Sequence, residues 1–214
     1  MEAQARRIPN ARGEGERLRQ EILDAATRIL EETGREDALS VRAVAREVGI
    51  SAPSVYLHFK NKTDLVTTVL DAAYRTLAAA MAEAGAAAAR DGASPWEQLT
   101  ATVGVYRRFA VDKPRRYRLM FSLAYEPRHQ PLTEPEPAGT VHQAWAAAVD
   151  TYLAAVSPDH RADAEILGVH LWAALHGQLA LWRAIPNRHT GDEDILIELE
   201  ESLLRRLLPG AQAH

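Results

Sequence analysis

Residues 40–63 read SVRAVAREVGISAPSVYLHFKNKT and concentrate side chains suited to a polyanion. Four bases, Arg42, Arg46, Lys60 and Lys62, stand against one acid, Glu47, so the stretch carries a local +3 inside a chain of net charge -4. Tyr56 and His58 add aromatic hydrogen-bonding groups, and Ser51 and Ser54 add hydroxyls. Such a set bonds phosphate oxygens and base edges. A sequence pI near 6.1 does not oppose this, because a nucleic-acid footprint needs only a local basic patch. Upstream, Arg6, Arg7 and Arg12 form a basic arm, residues 1–15, while Arg17 and Arg19 are offset by Glu14, Glu16 and Glu21.

The elements that must position these groups are helices. Leu18, Ile22, Ala25, Ala26, Ile29 and Leu30 recur at helical spacing over residues 16–33, and Gly34 supplies a left-handed exit. Ser40 caps a short second helix, with Leu39 and Val44 placed as a hydrophobic staple and Gly49 as its stop. Ser51 caps a third helix with Pro53 in its first turn, expected to end near Phe59. Asn61 then caps a long fourth helix to about residue 89, with Asp64 in its first turn.

Two short helices around a glycine turn, with the small Ala45 at their crossing, form a helix-turn-helix. Val44, Val48, Ile50 and Val55 hold the two helices at their angle, leaving Ala52, Ser54, Tyr56, Leu57 and His58 outward. A helix so dressed fits a major groove.

Further helices are expected at 96–112, 115–126, 140–156, 162–184 and 193–208, and no strand pattern occurs. Four prolines make 126–139 an exposed loop. The expectation is an all-α fold of about nine helices. Residues 16–61 form a three-helix DNA-binding domain, and residues 62–214 a helical ligand-binding and dimerisation domain.

The segment LSVRAVAREVGISAPSVYLHFKNKTDLV resembles the DNA-binding domain of the tetracycline-repressor (TetR/AcrR) family, with Gly49, Tyr56, Phe59 and Lys62 in the family's order. The resemblance covers about residues 16–70; LWAALHGQLALW, at 171–182, is similar to the Trp/His-Gly segment of one C-terminal subgroup. It implies a dimeric regulator, usually a repressor, released from operator DNA by a small molecule. By the same resemblance Tyr56 and Lys62 match phosphate-contacting positions, and Arg42, Ala52, Pro53, Ser54 and His58 match positions that meet bases or backbone. Ser51 and Leu57 complete the DNA-facing set. Ala52 departs from a base reader, since a methyl can touch a thymine methyl but cannot form a bidentate hydrogen bond.

Elsewhere the chain argues against an enzyme. Cysteine is absent, which removes thiolate catalysis and thiol zinc sites. His142, His170 and His176 form no i, i+4 pair and no H-E-x-x-H occurs, so no metal or cofactor is expected. EDILIELEE reads as the solvated face of a helix. Lys113 to Arg118, KPRRYR, reads either as a solvated run or as a seat for a phosphate-bearing effector such as an acyl-coenzyme A. With no signal peptide and no membrane span, a cytoplasmic location is expected.

Tyr106, Met120, Phe121, Trp145, Trp172 and His176 are the candidate effector wall: five broad apolar or aromatic surfaces, and an imidazole four residues after Trp172 on the same helical face. The residue pattern also fits an effector-free architectural or protein-recruiting module. The helix from Ile166 to Trp182, apolar nearly all round, and the last helix, with Ile195, Leu196, Leu199, Leu203 and Leu207, are expected to join a second copy.

Overall fold

The computed structural model describes residues 14–35, 38–123, 138–184 and 193–210. Among them there are nine α-helices, one short 3-10 helix and no strand. Residues 1–13 of the basic arm, the proline-rich segment 124–137 and residues 185–192 lie outside the described residues. Two compact units divide within one helix, the first ending at Leu70 and the second beginning at Asp71.

The first unit is built from α1 (Glu14–Thr33), α2 (Val41–Val48), α3 (Ala52–Tyr56) and the start of α4 (Lys62–Arg90). α1 begins two residues before its expected start and buries Ile22, Leu23, Ala25, Ala26 and Leu30. Local chemistry sets the next helix ends. Ser40 Oγ accepts from Ala43 N at 3.1 Å, a cap that stabilises by about 1 kcal/mol. Gly49, at φ 76°, closes α2, as Ile50 N donates to Ala45 O and Gly49 N to Arg46 O.

α3 is shorter than the sequence reading. It ends at Tyr56 because His58 N and Phe59 N both fold back onto Val55 O, which carries Phe59 into the core at 2% exposure. The Arg19 guanidinium lies 5.0 Å over the Phe59 ring and covers its outer side. Ser51 holds the N-cap position, but its hydroxyl pairs with Ser54 Oγ at 2.8 Å rather than with a backbone N–H. α4 starts with Asp64 N donating to Asn61 Oδ1, while Asp64 Oδ2 accepts from Lys60 N, one residue outside the usual capping box.

The second unit comprises the rest of α4, α5 (Pro95–Asp112), α6 (Pro114–Leu123), α7 (Gly139–Val156), the 3-10 turn Pro158–Asp163, α8 (Ala164–Ala184) and α9 (Glu193–Leu207). α5 opens with a complete capping box between Ser94 and Glu97, and the two bonds from Ser94 hold the Glu97 carboxyl below its ordinary range.

α7 and α8 share the most extensive contact among the described helices, and Gly168 sits where their backbones approach. A Cβ built there would lie 2.9 Å from Ala146 N. Gly85 does the same for α4 on α5, where a Cβ would meet Thr102 Oγ1 at 2.7 Å. Among the described residues no helix is long and apolar enough to cross a membrane.

Candidate functional site

Two regions gather the residues singled out from sequence. In the first unit, Val55 is the buried residue of α3, so the helix presents its remaining side chains outward. Tyr56 is 55% exposed and Leu57 84%, an unusual position for two large apolar side chains beside a packed core. Arg42, Ser51 and Pro53 are exposed, and Ala52, Ser54, His58 and Lys62 are half-buried. None of the nine residues expected on this face is buried.

The electrostatics of the face follow from what its acids do. Glu47 is tied to Arg28 of α1 at 3.3 Å, and Asp64 is spent on the Lys60 backbone N–H. Arg42, Tyr56 and Lys60 are all exposed. The arrangement suits phosphate contacts flanking a short helix that offers few hydrogen-bonding side chains of its own.

In the second unit, five of the six residues expected to wall an effector site come together across α5, α6, α7 and α8. Tyr106 is the hub, with its ring 5.3 Å from Trp145 and 6.5 Å from Phe121, all edge-on. Phe121 reaches Trp172 at 6.1 Å and His176 at 4.5 Å. Met120 is buried, and its carbonyl accepts from the Tyr74 hydroxyl at 2.6 Å.

The polar atoms of Tyr106, Tyr117, Trp172 and His176 bond one another. Trp172 Nε1 donates to Tyr106 Oη at 3.0 Å, and Tyr106 Oη lies 3.2 Å from Tyr117 Oη. Tyr117 Oη lies 2.6 Å from His176 Nδ1. Burial, with the neighbouring Tyr117, pushes the Tyr106 phenol well above its ordinary range, and burial lowers His176, so the cluster is uncharged at neutral pH.

Tyr117 was missed by the sequence reading because it stands inside the basic run at 113–118. The available signal was its spacing, three and four residues before Met120 and Phe121, which puts all three on one face of α6.

A second feature was also missed. A cavity of about 310 Å³ lies between α4, α5 and α7, walled by small residues such as Ala82, Gly85, Ala86, Ala144 and Ala148. Three of its polar wall groups donate to nearby backbone: Gln98 Nε2 to Ala93 O, Thr102 Oγ1 to Gln98 O and Thr151 Oγ1 to Ala147 O. The cavity therefore offers mostly carbon to an occupant, and its volume lies at the lower end of the ~300–1,000 Å³ usual for small-molecule sites. Alanines carry no pattern that separates a cavity wall from a close helix crossing.

The chain matches known proteins over both units. A model of bacterial regulatory proteins of the tetR family matches residues 22–69, and a model of the tetracyclin repressor-like C-terminal domain matches residues 99–206. An uncharacterised HTH-type transcriptional regulator of Mycobacterium tuberculosis, Rv0681, is 28% identical over 166 residues, covering 76% of this chain and 69% of its own. Among solved structures, the regulatory protein SCO4313 superposes with a TM-score of 0.62 at 27% identity, covering 94% of this chain and 99% of its own. The transcriptional regulator FadR of Bacillus subtilis, solved with stearoyl-CoA, gives 0.61 at 17% identity, covering 89% and 98%, a likeness of fold alone.

Proposed function

Because the chain belongs to the TetR family of bacterial regulatory proteins, we propose that it is a transcriptional repressor that binds a palindromic operator as a homodimer and leaves it when a small, largely apolar effector binds the second unit. The observation that carries the reading is α3, a helix that buries Val55 and turns Tyr56 and Leu57 to solvent between Arg42 and the two lysines that follow. Tyr56 and Lys62 hold phosphates, Arg42 and the α3 residues meet bases, and the remaining specificity comes from DNA shape.

The effector occupies the α5–α7 side of the second unit, where the carbon-lined cavity and the aromatic cluster share both helices. Tyr106, Met120, Phe121, Trp145, Trp172 and His176, the wall expected from sequence, are not among the residues that line the cavity. The stearoyl-CoA of the FadR complex joins an apolar chain to a polyanionic head. Here, the basic residues Lys113, Arg115, Arg116 and Arg118 stand at the junction of α5 and α6, and none of them lines the cavity. Release is a population shift, limited to the effector's differential affinity for the DNA-bound and free dimers.

Ring-to-ring packing in the aromatic cluster favours a second reading, in which the large unit only dimerises and the protein is an architectural or recruiting module. Binding-site selection with the purified chain, followed by fluorescence anisotropy of the selected DNA against a panel of apolar compounds, separates the two. The repressor reading expects an inverted repeat released by at least one compound class. Selection of no sequence overturns it, and tight binding indifferent to every compound moves the conclusion to the architectural module.

A further inference from the structure

The cavity between α4, α5 and α7 is polar at one end and carbon at the other. The rings of Trp96 and Tyr152 lie 6.2 Å apart and those of Tyr106 and Trp145 5.3 Å, so the start of α5 meets the end of α7 and the two helices run antiparallel. Gln98, about one turn into α5, and Thr151, the residue before Tyr152, therefore stand near one level, and both line the cavity together with Tyr152. Thr151 is exposed and Gln98 half-buried, so each keeps surface to offer an occupant. Gly85 and Thr102 mark the middle, where a Cβ on Gly85 would lie 2.7 Å from Thr102 Oγ1. Toward the far end the wall is methyl groups, from Ala82, a turn farther from the α4–α5 connection, and from Ala144, beside Trp145.

Most hydrogens of the polar wall groups are already spent. Thr151 Oγ1 donates to Ala147 O at 2.9 Å, Thr102 Oγ1 to Gln98 O at 3.2 Å, Tyr152 Oη to Pro209 O at 3.4 Å, and Gln98 Nε2 to Ala93 O at 2.8 Å. A hydroxyl has one hydrogen and two lone pairs, and the Gln98 carboxamide keeps an acceptor oxygen beside its second N–H. The wall therefore offers more acceptors than donors. We propose that the effector is an uncharged molecule with an apolar body and a hydroxyl at one end, an alcohol or a phenol, whose O–H donates to Gln98 or Thr151. This deepens the effector reading above and rests on it.

Charge sets the other limit. Among the described residues that line the cavity, none is Asp, Glu, Lys, Arg or His. The charged groups next to the wall in sequence are paired with each other: Arg90, after Ala89, lies 2.6 Å from Glu83, and Asp150, before Thr151, accepts two bonds from Arg161 at 2.6 and 2.8 Å. Arg205 lies 5.0 Å over the Trp96 ring. A carboxylate or phosphate seated at the wall would lose water without gaining a cation, and an ammonium would lose it without gaining a carboxylate. A hydroxyl needs one acceptor, which Gln98 or Thr151 supplies.

The test is calorimetry on the full chain with naphthylethanol, its methyl ether, naphthylacetate and naphthylethylammonium, which share one ring system and differ at one end. The alcohol is expected to bind about 3- to 10-fold more tightly than the ether, which lacks the donor, from one neutral hydrogen bond. Both charged compounds are expected to bind more than about 10-fold more weakly than the alcohol. Gln98→Leu combined with Thr151→Val is expected to bring the alcohol to the affinity of the ether. Ala147→Leu, which enlarges the wall at an exposed helix position, is expected to weaken every compound that binds. Equal affinity of alcohol and ether, tighter binding of a charged compound, or a preference that survives the double variant overturns the hydroxyl assignment and leaves the effector reading standing. Binding of none of the four, or binding that Ala147→Leu leaves unchanged, overturns the cavity as the effector site and the assignment with it. If the double variant does not fold, the wild-type series decides.

Discussion

Glu200 of α9 lies 3.2 Å from Arg107 of α5, and both side chains are more than nine-tenths shielded from solvent. They border a cavity of about 10 Å³, room for a single water, lined also by Gln178 and Leu175 of α8. Loss of hydration outweighs the attraction of Arg107, helped by Arg108 and opposed by Glu201, so the Glu200 carboxyl is pushed up to about 7.

A pH dependence of stability follows. The folded chain holds the Glu200 proton more tightly than the unfolded chain, whose carboxyl titrates near 4.5. This contribution is full below pH 4.5 and is lost as pH rises to about 7, amounting to about 3 kcal/mol. Denaturation midpoints measured from pH 5 to pH 8 should therefore fall more steeply for the wild type than for Glu200→Gln. Parallel curves would exclude Glu200 as the titrating group, whatever the absolute stability of the variant.

At the α7–α8 crossing, Gly168→Ala places a methyl about 3 Å from the backbone of Ala146, which cannot swing aside as a side chain would. A destabilisation of about 1–3 kcal/mol is expected in urea titration. Gly177→Ala, on the same helix with open space at its Cβ, serves as the matched control and should be neutral or slightly stabilising. Equal effects at the two glycines would mean that the helices pack less closely than described.

On DNA, Lys62→Ala should weaken binding to all sequences alike and reduce the salt slope by about one, because a phosphate contact carries no sequence information. Arg42→Ala should change which bases are preferred at one operator position. Anisotropy titrations at several salt concentrations, on selected and scrambled duplexes, read both effects. A salt slope unchanged by Lys62→Ala would remove that residue from the interface.

For assembly, α8 and α9 leave Ile166 at 52%, Leu181 at 60% and Leu199 at 41% exposure, an apolar surface suited to a symmetry mate. The wild type should scatter light as twice the 23.6 kDa chain, and Ile166→Lys combined with Leu199→Lys should shift it to monomer with loss of operator affinity. Such a dimer would set the two α3 helices about one DNA turn, ~34–36 Å, apart. A wild-type monomer at micromolar concentration would end this reading.

What the chain determined by itself is whatever depends on neighbours a few residues away. The Ser40 cap, the Gly49 reversal and the outward set around Tyr56 are settled by hydrogen-bond chemistry and apolar spacing within a turn or two, and they were legible without coordinates. The gathering of Tyr106, Phe121, Trp145, Trp172 and His176 was half legible, since periodicity says which face turns inward but not which face it meets. Tertiary structure alone decided the rest. It ended α3 at Tyr56 by drawing Phe59 under Arg19, and it buried Tyr117 out of a basic run. It also joined Arg107 to a glutamate from a helix far along the chain, left the Trp145 N–H without a partner among the described residues, and opened a cavity between alanines. Each of these depends on the distance between helices remote in sequence, which side-chain volumes across the whole core set together and no local pattern encodes.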